Sequence, residues 1–243
     1  MKFFCWNIKD GGVLNFSTPI VSNIQNILAT IEKEGPDVVI IQEYLSEYSE
    51  ELITNGLSKL SYSHTVCDDH PERTLRKRVL IASKIPFQNV DTTANISDYN
   101  KRNWREIIVN KSIHILGVHV PLAETTNING RTIDNRNEKK RFLDAMEAKF
   151  AEYKNCPEPC IICGDFNLHE NAVYKEYLDI FSRNLTEVTT AAPTWGKHKF
   201  DYIYANEAFR KLIDAGAEFH PQKTRFSDHS YLCVEALTEA AIA

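Results

Sequence analysis

Apolar positions alternate over residues 2–8 as they do in a strand. Ile20, Ile24, Ile27, Leu28 and Ile31 recur at helical spacing until Gly35-Pro36, a pair that stops a helix. Val38-Val39-Ile40-Ile41 is a β-branched run with no polar interruption, the pattern of a strand covered on both faces. A second helix is expected over 46–60. Strands follow near 61–67, 78–83, 104–110 and 112–120, divided by turn-forming residues such as Asn110-Lys111. Residues 134–154 put Phe142, Leu143, Met146 and Phe150 on one side of a charged amphipathic helix, and Cys160-Ile161-Ile162-Cys163 is the next buried strand. A helix near 171–182, a strand near 200–204, a short helix from Asn206 and strands near 214–219 and 231–236 complete the pattern.

Strands outnumber helices, and helices recur between them in both halves of the chain. That combination predicts an α+β fold, a four-layer α/β/β/α sandwich of two packed, mostly antiparallel mixed sheets flanked by helices. With 243 residues, 43% of them hydrophobic, and no Gly-, Ser- or Pro-rich linker or internal repeat, one domain spanning 1–243 is the expectation. Several polar residues stand where the buried strands end: Asn7, Glu43, His119, Asp165 and Asp201. Strand ends are where a rigid scaffold commonly mounts chemistry.

Charge and cysteine usage narrow the setting. The first apolar run breaks after four residues, too short for a signal peptide or a membrane span, so a cytoplasmic protein with no transmembrane segment is expected. Four of the six cysteines lie in or beside apolar strand-like runs, which favours reduced thiols over a disulfide framework. The net charge of −5 builds in no long-range attraction to nucleic acid, without excluding a locally basic or metal-filled cleft. Arg73, Arg76, Lys77 and Arg78 form the clearest basic cluster, which is either a phosphate contact or a solvated loop. A monomer is expected.

The strongest local signal is Gly164-Asp165-Phe166-Asn167, which throws a carboxylate and a carboxamide off the end of an apolar strand, two residues apart and on one side. The same tetrapeptide also makes an ordinary Asp/Asn turn. Ser227-Asp228-His229-Ser230 precedes the final strand, and its adjacent Asp and His reach one site only from a turn or bulge. Phe200-Asp201-Tyr202-Ile203-Tyr204 is an aromatic strand interrupted by a carboxylate, which needs a partner if buried; a histidine is a natural one.

Together with Trp6-Asn7-Ile8, Gln42-Glu43 and Val118-His119-Val120-Pro121, these motifs resemble the endonuclease/exonuclease/phosphatase superfamily, which includes DNase I-like and exonuclease III-like enzymes. They run in the family's order from residue 7 to residue 229, so the ordered set is specific where each motif alone is weak. The resemblance implies a Mg²⁺ or Mn²⁺ held by Glu43, Asn7 and Asp228, hard cations taking oxygen ligands. It implies Asp165 as the residue that orients or deprotonates the attacking water, with Asn167 holding phosphate or water in line. His229 would donate to a phosphoryl oxygen with Asp201 fixing its tautomer, and His119 would face the scissile phosphate as leaving-group acid or charge stabiliser. Arg105 is similar to a phosphate-contacting arginine of the DNase I-like branch, or else a strand surface charge.

Lys9 departs from the pattern, standing where some members carry an acidic metal ligand, with Asp10 displaced by one. Residues 122–133 are polar and long enough for a substrate loop or a disordered tip. Trp195 suits packing beneath the site better than stacking on a base, and His198 in the same loop is either a phosphate contact or, as a lone loop histidine usually is, simply exposed. The clusters His64, Cys67, His70 and Cys156, Cys160, Cys163 lack the four spaced ligands of structural zinc.

A metal-dependent nuclease acting on DNA or RNA is the expected function. The alternatives are a phosphatase or phospholipase-like hydrolase of a phosphorylated small molecule or lipid headgroup, and a catalytically silent phosphate-binding module. The silent module has no need of so costly a carboxylate cluster.

Overall fold

Alternation along the first strand sets the layers: Phe3 and Cys5 enter one core, while Phe4 and Trp6, on the other face, enter another. The structure, a computed structural model, describes residues 1–12, 20–67, 77–91, 95–128 and 131–237. In chain order its elements are β1 (Lys2–Asn7), the single turn α1 (Lys9–Gly12), α2 (Ile20–Glu34), β2 (Val38–Leu45), α3 (Ser46–Lys59), β3 (His64–Val66), β4 (Lys77–Ser83) and β5 (Phe87–Val90). A 3-10 segment (Asp98–Asn103) leads into β6 (Trp104–Val109), β7 (Ile113–His119), β8 (Thr125–Ile128) and β9 (Arg131–Asp134). Then come α4 (Arg136–Lys154), β10 (Cys160–Asp165), α5 (Glu176–Asn184), β11 (Thr186–Glu187), β12 (Asp201–Ala205), α6 (Glu207–Arg210) and β13 (Leu232–Glu235).

One sheet has the order β13-β1-β2-β4-β3 and the other β11-β12-β10-β7-β6-β5. Each is mixed and mostly antiparallel, β1 with β2 and β7 with β10 being the parallel pairs. Phe3, Ile40 and Ile81 of the first sheet share a core with Ile107, Ile115 and Ile161 of the second. Helices α2 and α3 cover the outer face of the first sheet through Ile24, Ile27, Ile31, Ile53 and Leu57. On the second sheet's outer face, α4 and α5 pack Phe142, Met146, Phe150 and Phe181 against Trp104, Leu116, Ile162 and Tyr204. This is the expected four-layer sandwich.

Several local expectations are corrected. Residues 214–219 form no strand: Asp214 organises a turn, its carboxylate accepting from Gly216 N and its carbonyl from Ala217 N, and Phe219 makes only an isolated bridge to Thr189. Turn bonds precede α5, which begins at Glu176 rather than near 171, because Tyr174 has a φ of 69° that a helix cannot accommodate. Within 122–133, residues 125–128 pair with 131–134 as a two-stranded hairpin. Arg73, Arg76 and His70 lie outside the described residues. All six cysteines are free, and Cys160 and Cys163 face different cores of the sandwich, so they cannot share a metal. No helix among the described residues is long and apolar enough to cross a membrane.

Candidate active site

Parallel pairing of β10 with β7 sets Asp165 opposite His119, and antiparallel pairing of β10 with β12 sets it opposite Asp201. Three polar residues thus share one end of the second sheet. Gly164 makes that arrangement possible: its φ is 148°, and a Cβ there would lie 1.9 Å from the Val118 carbonyl oxygen. Past the strand end, Asn167 at φ 47° folds back so that its N–H donates to Asp165 Oδ1 at 2.8 Å and its carboxamide to Val120 O at 2.8 Å.

The first sheet supplies the other wall. Asn7, wholly buried at the end of β1, donates from Nδ2 to Asp165 Oδ2 at 2.9 Å and to Glu43 Oε1 at 3.3 Å. Its Oδ1 accepts from Lys9 N at 2.9 Å. Glu43 reaches the site because the β2–β4 register shifts between Ile41 and Tyr44, and Glu43 takes φ 60° at that irregularity. Asp10 N donates to Glu43 Oε2 at 2.8 Å. Asp10 touches Glu43 only through its backbone, since its carboxylate pairs with Lys77 Nζ at 2.9 Å. Lys77 also reaches Glu43 Oε2 at 2.6 Å, and Lys9 pairs with Asp228 at 2.8 Å.

The segment before β13 closes the pocket from the first sheet's edge. Ser227 Oγ donates to Asn7 O at 2.7 Å and accepts from His229 N at 3.1 Å, forming the turn that lets His229 face inward beside Asp228. Trp6 Nε1 donates to His229 O at 3.0 Å. The His229 ring then donates from Nδ1 to Asp201 Oδ2 at 2.8 Å, with Nε2 4.0 Å from Asp165 Oδ2. Thr194 Oγ1 accepts from both Phe200 N and Asp201 N, fixing the start of β12.

These surroundings push the titrating groups apart. Burial works against a charged His229, but Asp201 and Asp165 outweigh it and raise the pKa to about 9. Burial raises Asp165, with His229 and His119 opposing. Burial also favours neutral Glu43, yet His119, Lys77 and the Asp10 amide carry it down to about 2. His119 is lowered by its burial, with Nε2 3.8 Å from both Glu43 Oε1 and Asp165 Oδ2.

Asp165, Asp201 and His229 have ligand atoms within 4.8 Å of one another, but an imidazolium in the group repels a cation. The Glu43 side suits a hard divalent ion better. Its donors are oxygens from Glu43 and Asp10, with Asp165 linked to Glu43 through Asn7 Nδ2, and the Lys77 ammonium already stands there as a cation between two carboxylates.

Eight of the nine residues expected from the sequence converge on this pocket: Asn7, Glu43, His119, Asp165, Asn167, Asp201 and His229 at its centre, with Asp228 at its half-exposed rim. Arg105 stands one strand away on β6, in register with Gly117. Trp195 is 40% exposed, its ring 5.6 Å from that of Phe200, so it stands at the surface rather than packed beneath the site. Lys139 escaped the sequence reading: it is buried on α4, donates from Nζ to Asn167 O at 2.7 Å, and is lowered to about 8 by burial. A lysine on the apolar side of an otherwise amphipathic helix, three residues before Phe142, was its signal.

No curated protein matches the chain in sequence. Among solved structures, an AP endonuclease from Archaeoglobus fulgidus superposes with a TM-score of 0.73 at 15% identity, covering 97% of this chain and 99% of the other. A 3′-5′ exonuclease from Neisseria meningitidis gives 0.75 at 15% identity, covering 98% and 100%. A Neisseria 3′ phosphatase bound to a product DNA hairpin gives 0.71 at 15% identity, covering 97% and 99%. Such identities speak for the fold alone. The profile of the Endonuclease/Exonuclease/phosphatase family matches residues 15–229, so the chain belongs to that family, whose members are phosphoester hydrolases.

Proposed function

We propose that the protein is a divalent-metal-dependent phosphodiesterase, a nuclease that hydrolyses DNA or RNA by in-line attack of water on the phosphorus. The observation that supports it most is the convergence on Asp165: Asn7 from one sheet and Asn167 from its own strand end hold its two oxygens, while His229 lies 4.0 Å away. Burial makes this carboxylate more basic, as a general base requires. His229, kept charged by Asp201, donates from Nε2 to a phosphoryl oxygen as negative charge grows there. His119, pushed toward its neutral form, acts as a hydrogen-bond donor beside the same phosphate rather than as a strong acid.

Glu43, with Asp10 and Asn7 next to it and Asp228 across the rim, would hold Mg²⁺ or Mn²⁺. When bound, the ion supplies Lewis-acid stabilisation of the phosphoryl charge. The reading treats residues 1–243 as one catalytic domain, since the site takes residues from position 7 to position 229. A nucleic-acid substrate is favoured by the neighbours described as an AP endonuclease, a 3′-5′ exonuclease and a DNA-bound 3′ phosphatase. The net charge of −5 supports a second reading as a phosphatase of a smaller phosphorylated substrate.

A panel of plasmid, single-stranded DNA, RNA, a phosphoinositide and sphingomyelin, each with Mg²⁺ or Mn²⁺ and with EDTA, tests the proposal. Metal-dependent cleavage of a nucleic acid, lost in Asp165→Asn, is the expected result. Turnover of the lipid headgroups alone would overturn the nuclease assignment, and no turnover of any substrate would favour a silent phosphate-binding module.

A further inference from the structure

Lys77 is the first residue of β4, and its backbone position is fixed by antiparallel pairing to the strand that carries Glu43. Leu45 pairs with Lys77 and Tyr44 with Arg78, immediately beyond the register shift that turns Glu43 inward. The lysine therefore starts next to the carboxylate whatever rotamer it adopts. Its ammonium lies 2.6 Å from Glu43 Oε2 and 2.9 Å from Asp10 Oδ1, bridging the two acids at the mouth of the pocket. The Lys77 side chain is 40% exposed and that of Glu43 12%, so the lysine has a way out to solvent that the carboxylate lacks.

Glu43 and Asp10 meet at this ammonium, and Asn7 Nδ2 links Glu43 to the buried Asp165, so positive charge is needed to hold these carboxylates together. The lysine supplies it. A hard divalent ion seeks the same oxygens at about 2.0–2.2 Å, inside the space that the ammonium takes up. Two cations a few ångströms apart in a partly buried pocket repel strongly. Each therefore weakens the other's hold on Glu43 Oε2.

We propose that Lys77 is a built-in competitor for the divalent cation, bridging Glu43 and Asp10 in the metal-free chain and swinging outward when metal binds. This rests on the reading of Glu43 as a metal carboxylate. Metal affinity in this chain is then set by an exchange of one cation for another. Displacement of Lys77 also releases the Asp10 carboxylate, which stands close enough to join Glu43. The metal-bound pocket gains a ligand as it loses its internal cation.

The test is Mn²⁺ binding to the full chain, read from the free-ion electron paramagnetic resonance signal and from the metal-induced rise in Tm, for wild type, Lys77→Met, Lys77→Gln, Lys77→Arg and Glu43→Gln. Lys77→Met and Lys77→Gln are expected to bind Mn²⁺ about tenfold more tightly than wild type, and to melt lower without metal. Lys77→Arg, which keeps the charge, should stay within about threefold of wild type. Unchanged or weaker binding in both neutral variants, with binding lost in Glu43→Gln, would overturn the competition and leave the metal site standing. Equal binding by wild type and Glu43→Gln would instead overturn the metal-site reading on which the competition rests. The Met and Gln variants differ in bulk, so a folding defect in one leaves the other to decide.

Discussion

Asn7 Nδ2 donates to Asp165 Oδ2 at 2.9 Å, so the last residue of a strand in one sheet holds the carboxylate at the end of a strand in the other. The site lies on the seam of the sandwich, and its geometry depends on how the two sheets are packed.

Asn7→Ala should therefore cost more in turnover than in folding. It removes donors to two carboxylates, leaving Asp165 and Glu43 buried with one fewer hydrogen bond each, for about 1–3 kcal/mol of stability. The expected outcome is a fall of at least about a hundredfold in kcat, with a cooperative urea transition retained. Loss of cooperativity would instead make Asn7 a folding residue.

The pairing of His229 with Asp201 predicts a pH-dependent stability. His229 binds its proton more tightly folded, at about 9, than at its ordinary 6.5, so the pair's contribution is full below about 6.5 and is lost as pH rises through about 9. In EDTA, the difference in unfolding free energy between wild type and Asp201→Asn should shrink by roughly 3 kcal/mol between pH 6 and pH 10. A flat or rising difference over that range would contradict the charged pair.

Gly164→Ala should be among the most damaging single changes. A methyl group there meets the Val118 carbonyl at 1.9 Å, a backbone atom that cannot move without parting β10 from β7, and the φ of 148° is itself unfavourable for alanine. A loss of about 3 kcal/mol or more is expected from denaturant titration.

Lys139→Met separates stability from catalysis. The buried ammonium has one described partner, Asn167 O, and burial lowers its pKa to about 8. Methionine of similar length should keep Tm within a few degrees, because it removes a desolvated charge. Turnover should fall as the Asn167 turn loosens, and the pH profile should lose any step near 8. An unchanged kcat and profile would make Lys139 a bystander.

The sequence by itself determined the layering, because apolar positions at period two and at helical spacing decide which face each element buries. The runs at 38–41 and 160–163 are central strands, and Phe142, Met146 and Phe150 lie on the buried side of α4. It also marked eight residues that the structure brings into one pocket, since strand ends between short loops must fall at one rim or the other. Only the tertiary structure decided how they meet. No pattern foretells that Glu43 turns inward on a shifted register at φ 60°, that Lys77 and Lys9 pair with Glu43 and Asp228, or that Trp195 stays open to solvent. Residues 214–219 became turns and 125–134 a hairpin for the same reason: strand formation there depends on a partner's edge, and local spacing does not say where that edge will be.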